Sequence, residues 1–476
     1  MTLTPPDRRE MEPHMEEPMS PARLDNNVTE KDHVNDDGHG AESSSPPDDT
    51  ESLLPRWNHP RSNIFRVFAT LWVFLVMGAN DAAYGALLPY LEEYYNITYM
   101  IVSLVFLSPL VGYVLSALIN DKLHLWVGQR GVGFIASVCH LIGYIISCTR
   151  PPYPALVVAY VFAGIANGLG DAAWNTYIGN MQSSNELLGV LHGVYGLGAV
   201  ISPLVVTNMV KKANVPWNYF YFFMIGIAAV EFILIVMAFW RFTGAAFRKT
   251  RAQTAGETNA SLRSTLFTRP AARVSWVCAI LLLFYVGVEV AIGGWVVTFM
   301  IDVRHASYYD SGMTATGFWL GITVGRVVLG FITARLGVKL ATTIYITCSI
   351  GVDLVLWLVP NFYVSAVAAA VQGFCLGPLF PAVVQVMTML LPKHLHVTSI
   401  GFVAAFGGSG AAVIPFIVGA IAQNRGVESL MPFVLALSVA ILVLWMALPR
   451  QGGGGSVFRP FLKKILRSRG QDGNMI

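Results

Sequence analysis

Charge is what this chain has least of: Asp, Glu, Lys and Arg make up 12 % of its 476 residues, about half the roughly 25 % usual in soluble domains. Hydrophobic residues reach 54 % and the mean hydropathy is +0.56. Most of such a surface must face lipid or other apolar helices, which excludes a water-soluble globular enzyme and a nucleic-acid binder. Cysteine is scarce too. Cys139, Cys148, Cys278, Cys348 and Cys375 fall inside or beside apolar runs with no CxxC spacing, so they read as small packing residues and neither a disulfide framework nor a metal site is expected. P-loop, HExxH and GxSxG patterns are all missing, and no loop is long enough to hold a catalytic domain. The reading is therefore of a protein that is not an enzyme and uses no cofactor or metal.

What the chain does have is apolar length. From residue 64 onward, runs of about 20 residues, enough to cross a hydrocarbon core of ~30 Å, follow one another with short polar breaks. They are placed near 64–90, 100–119, 132–149, 154–180, 187–210, 219–240, 274–300, 313–334, 341–360, 362–391, 397–422 and 430–448. The prediction is an all-α membrane protein of twelve transmembrane helices in two six-helix bundles, at 63–240 and 274–448. Residues 241–273 form a basic linker and 449–476 a basic tail. Residues 1–62 carry 14 Asp/Glu against 6 Lys/Arg and have almost no aromatics, the composition of a disordered acidic tail. That tail lacks the apolar core of a signal peptide. Within it, Asp49-Thr50-Glu51-Ser52-Leu53-Leu54 resembles an acidic dileucine sorting signal.

Basic residues fix the expected orientation, because Lys- and Arg-rich loops stay cytoplasmic. With the N-terminus inside, the cytoplasmic segments hold 18 Lys/Arg and the outer loops five: Arg150, Lys211, Lys212, Arg304 and Arg425. Both termini are predicted cytoplasmic, in the plasma membrane or a vacuolar or endosomal one. The sequon Asn96-Ile97-Thr98 then falls outside but hugs the bilayer.

The linker also divides six spans from six, and the halves echo each other. Gly196-x-Gly198-Ala199-x-x-x-Pro203 in span 5 recurs 212 residues later as Gly408-x-Gly410-Ala411-x-x-x-Pro415 in span 11. Gly164 and Gly168 of span 4 recur 209 residues later as Gly373 and Gly377 of span 10. A duplicated six-helix unit explains the shared spacing, and small residues at those places let helices approach closely.

These residues, with several others, resemble the major facilitator superfamily, and within it the fucose permease-like (fucose-galactose-glucose:proton symporter) branch and fungal members of the bypass-of-stop-codon type. The resemblance covers 64–448. It rests on Gly78-Ala79-Asn80-Asp81 with Leu87-Leu88-Pro89 in span 1, Tyr285-Val286-Gly287-Val288-Glu289 with Gly294-Trp295 in span 7, Gly325-Arg326 through Ala334-Arg335-Leu336-Gly337 in span 8, and Gly373 through Pro378-Leu379-Phe380-Pro381 in span 10. The superfamily's G-x-x-x-D-R-x-G loop between spans 2 and 3 is partly kept as Asp121-Lys122, with Ala117 at the first glycine and Gly128 late. Its second copy, 330–337, has Ala334 where the acid belongs. The resemblance implies that spans 1, 4, 7 and 10 surround a central cavity. The branch's carboxylates in spans 1 and 4 are matched by Asp81 and Asp171 only to within about a turn.

Charges inside a span cost ~2.5–3.5 kcal/mol each on an insertion scale, so each needs a reason. Asn167, Asp171 and Asn175 are spaced i, i+4, i+8 with Trp174 beside them, and this stripe must line a cavity or pack on another polar helix. Asn80, Asp81 and Tyr84 present a similar face of span 1. Asp81 and Asp171 are the candidate proton carriers, since a carboxylate withdrawn from water takes up a proton more readily; a fixed structural hydrogen bond is the alternative for either. Asn80, Tyr84, Asn167, Trp174, Asn175, Tyr285, Trp295 and Trp319 are the candidate substrate contacts. Glu289 and Arg326 lie at equal depth, about 20 Å from one face at 1.5 Å per residue. They form either a structural ion pair or a functional site, a gate, with Arg326 free to meet an anionic substrate or Glu289 taking part in coupling. The resemblance places spans 6 and 9, and with them Glu231 and Asp353, at the periphery as scaffold, and His140 and His192 read as packed donors. The partners expected are a small-molecule substrate, protons and the bilayer, for a monomer. The expected activity is proton-coupled uptake of a sugar-like solute by alternating access. Metabolite export by proton antiport and a non-transporting solute sensor on the same scaffold stay open.

Overall fold

The computed structural model describes residues 55–254, 271–392 and 395–449; the dileucine-like segment at 49–54 lies outside them. The described backbone is helical, with no β-pairing beyond one isolated bridge between Arg56 and His59. Eleven of its helices are long and apolar enough to cross a membrane, and one of them crosses twice. The long helical run Leu104–Cys148 contains Gly128 at φ 69°, ψ −174°, a corner no helix can carry and one that favours glycine. Spans 2 and 3 meet there, making twelve crossings.

Span 1 is Ser62–Tyr95, span 4 Tyr153–Gly179, span 5 Ser184–Thr207 and span 6 Phe220–Ala238. In the second half, span 7 is Ala271–Asp302, span 8 Tyr308–Leu336, span 9 Val338–Leu358 and span 12 Leu430–Ala447. Span 10 breaks at Gly377-Pro378 into Phe362–Leu376 and Leu379–Leu390, and span 11 breaks at Ser409 into His396–Gly408 and Gly410–Arg425. The expected gap at 120–131 is a correction. Hydropathy falls where Asn120, Asp121 and Lys122 begin, but the helix continues through them to the corner. That corner is pinned from outside: the Arg130 N–H donates to the Phe242 carbonyl at 3.0 Å and Arg130 Nη1 to the Trp240 carbonyl at 3.1 Å. A side chain at Gly128 would strike the backbone of Phe242 and Thr243.

The duplication is visible in the packing. A methyl at Gly112 of span 2 would collide with the backbone of Val161 and Ile165 in span 4; one at Gly321 of span 8 would collide with Ala370 and Phe374 in span 10. All three positions are displaced by 209 residues. Gly164 on Pro109 and Gly373 on Phe318 repeat the contact from the opposite helix at the same offset. The spaced glycines act alike: Gly198 sits on the Leu75 carbonyl of span 1, Gly410 on the Leu283 carbonyl of span 7. With lipid on one side and no hydrophobic effect between helices, such close backbone approach is what holds each bundle.

Outside, the surface is greasy. Leu118, Trp126, Phe331 and Tyr363 stand 72–77 % exposed, an arrangement that hydrocarbon tolerates and water does not. The halves meet at the end of the molecule that carries Asn96. There Tyr99 donates to Asp302 Oδ2 at 2.8 Å, Tyr90 stacks on Tyr308 at 5.6 Å, and the Lys211 ammonium lies 4.0 Å from the Tyr308 ring. Just below, Gly85 abuts Gly293 and Gly419 abuts Ser103.

Candidate functional site

Asp81 lies near the middle of span 1, and three helices supply donors to it. Asn80 Nδ2 reaches Oδ1 at 3.0 Å, Asn167 Nδ2 of span 4 reaches the same oxygen at 2.8 Å, and the Tyr195 hydroxyl of span 5 reaches Oδ2 at 2.8 Å. Asn80 also donates to the Tyr84 hydroxyl at 2.8 Å, and Tyr84 leans edge-on against Tyr160 and Phe106. Asp81 nevertheless keeps part of its surface exposed.

The span 4 stripe does both things its sequence allowed. Asn167 is fully buried in a helix seam, whereas Asp171 and Asn175 are half-buried. Asn175 Nδ2 donates back to Asp171 Oδ1 at 2.7 Å. The stripe therefore passes from the packed interior to partly exposed positions toward the Gly179 end of span 4. Trp174 does not join it, a correction to the expected contact. Seven residues after Asn167 it returns to the seam side of the helix, where its indole is wholly buried at 4.7 Å from the Phe239 ring.

Asn167 leads deeper. His140 of span 3 sets Nε2 at 2.9 Å from Asn167 Oδ1 and Nδ1 at 3.0 Å from Glu231 Oε2 of span 6, and Ser137 donates to Glu231 Oε1 at 3.0 Å. A continuous polar chain, Glu231–His140–Asn167–Asp81–Tyr195, thus crosses the first half. Glu231 is no isolated scaffold charge and His140 no lone packed donor. Sequence reasoning missed this because the pair is 91 residues apart with no local pattern linking them; only the cost of an unpaired carboxylate in an apolar helix hinted that Glu231 had a partner.

In the second half, Arg326 Nη2 meets Glu289 Oε1 at 3.0 Å. Their side chains are 19 % and 8 % exposed. Tyr285, one turn before Glu289, is fully buried. Gly196, beside Tyr195, packs on Thr323 of span 8, one turn before Arg326. Tyr195 is thereby within electrostatic reach of both Glu289 and Arg326. The charged groups of the two halves converge where spans 5 and 8 cross. Trp319 lies buried against Gly293, a turn from Thr323. Trp295 sits elsewhere: its Nε1 donates to the Pro415 carbonyl at 3.0 Å and its ring faces Tyr99 at 5.9 Å, in the closed end. Asp353 is buried in span 9 with neither oxygen bonded among the described residues, away from this convergence. The five cysteines are free thiols, and no group of three or more metal-binding side chains occurs among the described residues.

Two pseudo-symmetric bundles, sealed at one end and carrying buried carboxylates at mid-depth along their seam, make a multi-pass membrane transporter. The profile of the Major Facilitator Superfamily matches residues 70–352 and 312–470, and the chain belongs to that family. It is 30 % identical to bypass of stop codon protein 6 of Saccharomyces cerevisiae, over 81 % of this chain and 82 % of that one. It is 20 % identical to the glucose/mannose transporter GlcP of Bacillus subtilis, over 73 % and 85 %. Among solved structures, a D-xylose-proton symporter superposes with a TM-score of 0.66 at 14 % identity, covering 81 % of this chain and 98 % of that one. The transporter FucP in its outward conformation gives 0.57 at 12 %, covering 82 % and 100 %. At such identities the likeness is one of fold.

Proposed function

We propose that the protein is a proton-coupled symporter of a small, polar, sugar-like solute, of the fucose permease-like branch, working by alternating access. The observation that carries this reading is Asp81: a half-buried carboxylate at mid-membrane, held by Asn80, Asn167 and Tyr195 and next to the crossing of the two halves. A carboxylate so placed can load a proton and lose its charge before the seam reorganises. Asp171 offers a second, partly exposed carboxylate one turn along span 4 from Asn167. Asn175, partly exposed, supplies a hydrogen-bonding group of the kind a polyol requires, with the buried Asn80, Asn167, Tyr84, Trp319 and Tyr285 packed behind the site. The sugar-transporting relatives support the solute class. Glu289 and Arg326 both belong to the second half, so their pair braces spans 7 and 8 and does not clamp the halves together. With both termini cytoplasmic, the Asn96 end, where the halves meet, faces outward.

The test is uptake of labelled glucose, xylose and fucose into proteoliposomes with and without an imposed pH gradient. Gradient-driven accumulation should vanish in Asp81→Asn while solute exchange without net proton movement persists. Accumulation untouched by both Asp81→Asn and Asp171→Asn removes the coupling assignment, and loss of preloaded solute driven by the gradient points to antiport.

A further inference from the structure

Beside the Gly128 corner lies a cleft that the transport reading does not use. Trp126 at the end of span 2, Arg130 and Phe134 at the start of span 3, Val236 and Trp240 in and just past span 6, and Gly244, which opens the short helix Gly244–Thr254, line a cavity of about 560 Å³. It sits where two kinds of surface meet. Trp126 and Trp240 are 77 % and 61 % exposed, and indoles so placed mark the border between headgroups and hydrocarbon. Phe232, Val236 and Trp240 recur every four residues along span 6, so they share one face. Phe134 of span 3 packs on Phe232 with ring centres 5.3 Å apart, and Ile233 and Met237 beside them are exposed. The cleft is thus continuous with the greasy seam between spans 3 and 6.

Charge around it has one sign. Arg130 Nη1 donates to the Trp240 carbonyl at 3.1 Å, and its guanidinium stands over the Trp240 ring at 4.9 Å. A guanidinium has five N–H groups, and that carbonyl takes one. No carboxylate lines the cleft, and none pairs with Arg130 among the described residues. Residues 240–254 add Arg241, Arg248, Lys249 and Arg251 and hold no acid; Arg241, Arg248 and Lys249 are exposed.

We propose that this cleft binds one anionic phospholipid, its phosphate on Arg130 between the two indoles and an acyl chain along the Phe134–Phe232–Val236 seam. Continuity with the apolar seam selects a lipid over a soluble anion, and the surrounding basic charge selects an anionic headgroup over a zwitterionic one. With both termini cytoplasmic, this end meets the leaflet in which anionic lipids concentrate. A lipid seated there touches spans 3 and 6 and the helix that follows them, and so braces the corner that Arg130 and Phe242 already pin.

The test uses the full-length protein in detergent, stripped of co-purifying lipid and titrated with dioleoylphosphatidylglycerol, with dioleoylphosphatidylcholine and inorganic phosphate as the other arms. Native mass spectrometry counts bound lipid, and melting reports stabilisation. The phosphatidylglycerol should bind with a first site about ten-fold tighter than the phosphatidylcholine, the worth of one charge-assisted hydrogen bond, and should raise the melting temperature. Arg130→Gln should erase that preference. Because Arg130 also holds the corner, Trp126→Ala and Arg241→Gln carry the test independently: both side chains are exposed, so lipid-free melting should not move while phosphatidylglycerol binding weakens several-fold. Arg425→Gln, at the other end of the molecule, should bind as wild type does. Equal binding of the two lipids, phosphatidylglycerol binding unchanged in both exposed variants, or equal stabilisation by inorganic phosphate overturns the proposal. No solute enters these measurements, so their failure leaves the transport reading standing, and failed uptake leaves the lipid site testable.

Discussion

Replacing Arg326 by Met while keeping Glu289 strands a carboxylate that is 8 % exposed and has this guanidinium as its ion-pair partner. Breaking a buried pair from one side costs about 3–5 kcal/mol, because the remaining charge stays desolvated, whereas replacing both partners by apolar groups of similar size is near neutral. The partial exposure of Arg326, 19 %, puts the expectation at the lower bound, about 3 kcal/mol. At ~2–4 °C per kcal/mol for a bundle of this size, the melting temperature of Arg326→Met in detergent should fall by about 6–12 °C. Glu289→Gln should fall less, since the stranded guanidinium can still turn toward Tyr195 and Tyr285, and Glu289→Gln/Arg326→Met should recover most of the loss. Intrinsic fluorescence melts on the four proteins complete the cycle. If the double variant melts as low as Arg326→Met, the two side chains act independently and the pair is not what stabilises spans 7 and 8.

Other expectations concern packing and closure. Gly112→Val and Gly321→Val should both cut the yield of monodisperse protein sharply in size-exclusion profiles, while Gly226→Ala and Gly351→Ala, where a methyl meets nothing within 4 Å, should be neutral or gain about 0.5–1 kcal/mol in helix propensity. Asp353 is 1 % exposed with neither oxygen bonded among the described residues, so Asp353→Asn should melt no lower than wild type; a large loss would mean that the carboxylate has a partner. Tyr99→Phe combined with Lys211→Gln removes the hydrogen bond to Asp302 and the cation on Tyr308. Maleimide labelling of a Ser103→Cys reporter, at a fully buried contact with Gly419, should then speed up several-fold.

Much of this was legible in the residues. Twelve crossings followed from apolar length, and the duplication from glycine spacing, since a glycine at a helix crossing is dictated by the partner's backbone and recurs when the crossing does. Glu289 and Arg326 could be matched because adjacent spans run antiparallel, so depth can be counted from their shared turn. His140 and Glu231 could not, because which helix faces which across a bundle depends on rotation about each axis, and no count along the chain supplies it. The burial of Trp174 was hidden for the same reason: rotation about the axis of span 4 turns its ring against Phe239. The corner between spans 2 and 3 was obscured because polar residues end a hydropathy window without ending a helix.

The crossings of glycine on bare backbone at Gly112, Gly164, Gly321 and Gly373 leave no side chain to slide or re-pack between those helices. Under the proposed alternating access, spans 2 and 4 and spans 8 and 10 would move as locked pairs, and the change would be absorbed at the seam, where rings, a few hydroxyls and Lys211 meet. A molecule so divided keeps its stiffness in the parts that travel and its give in the surface they share.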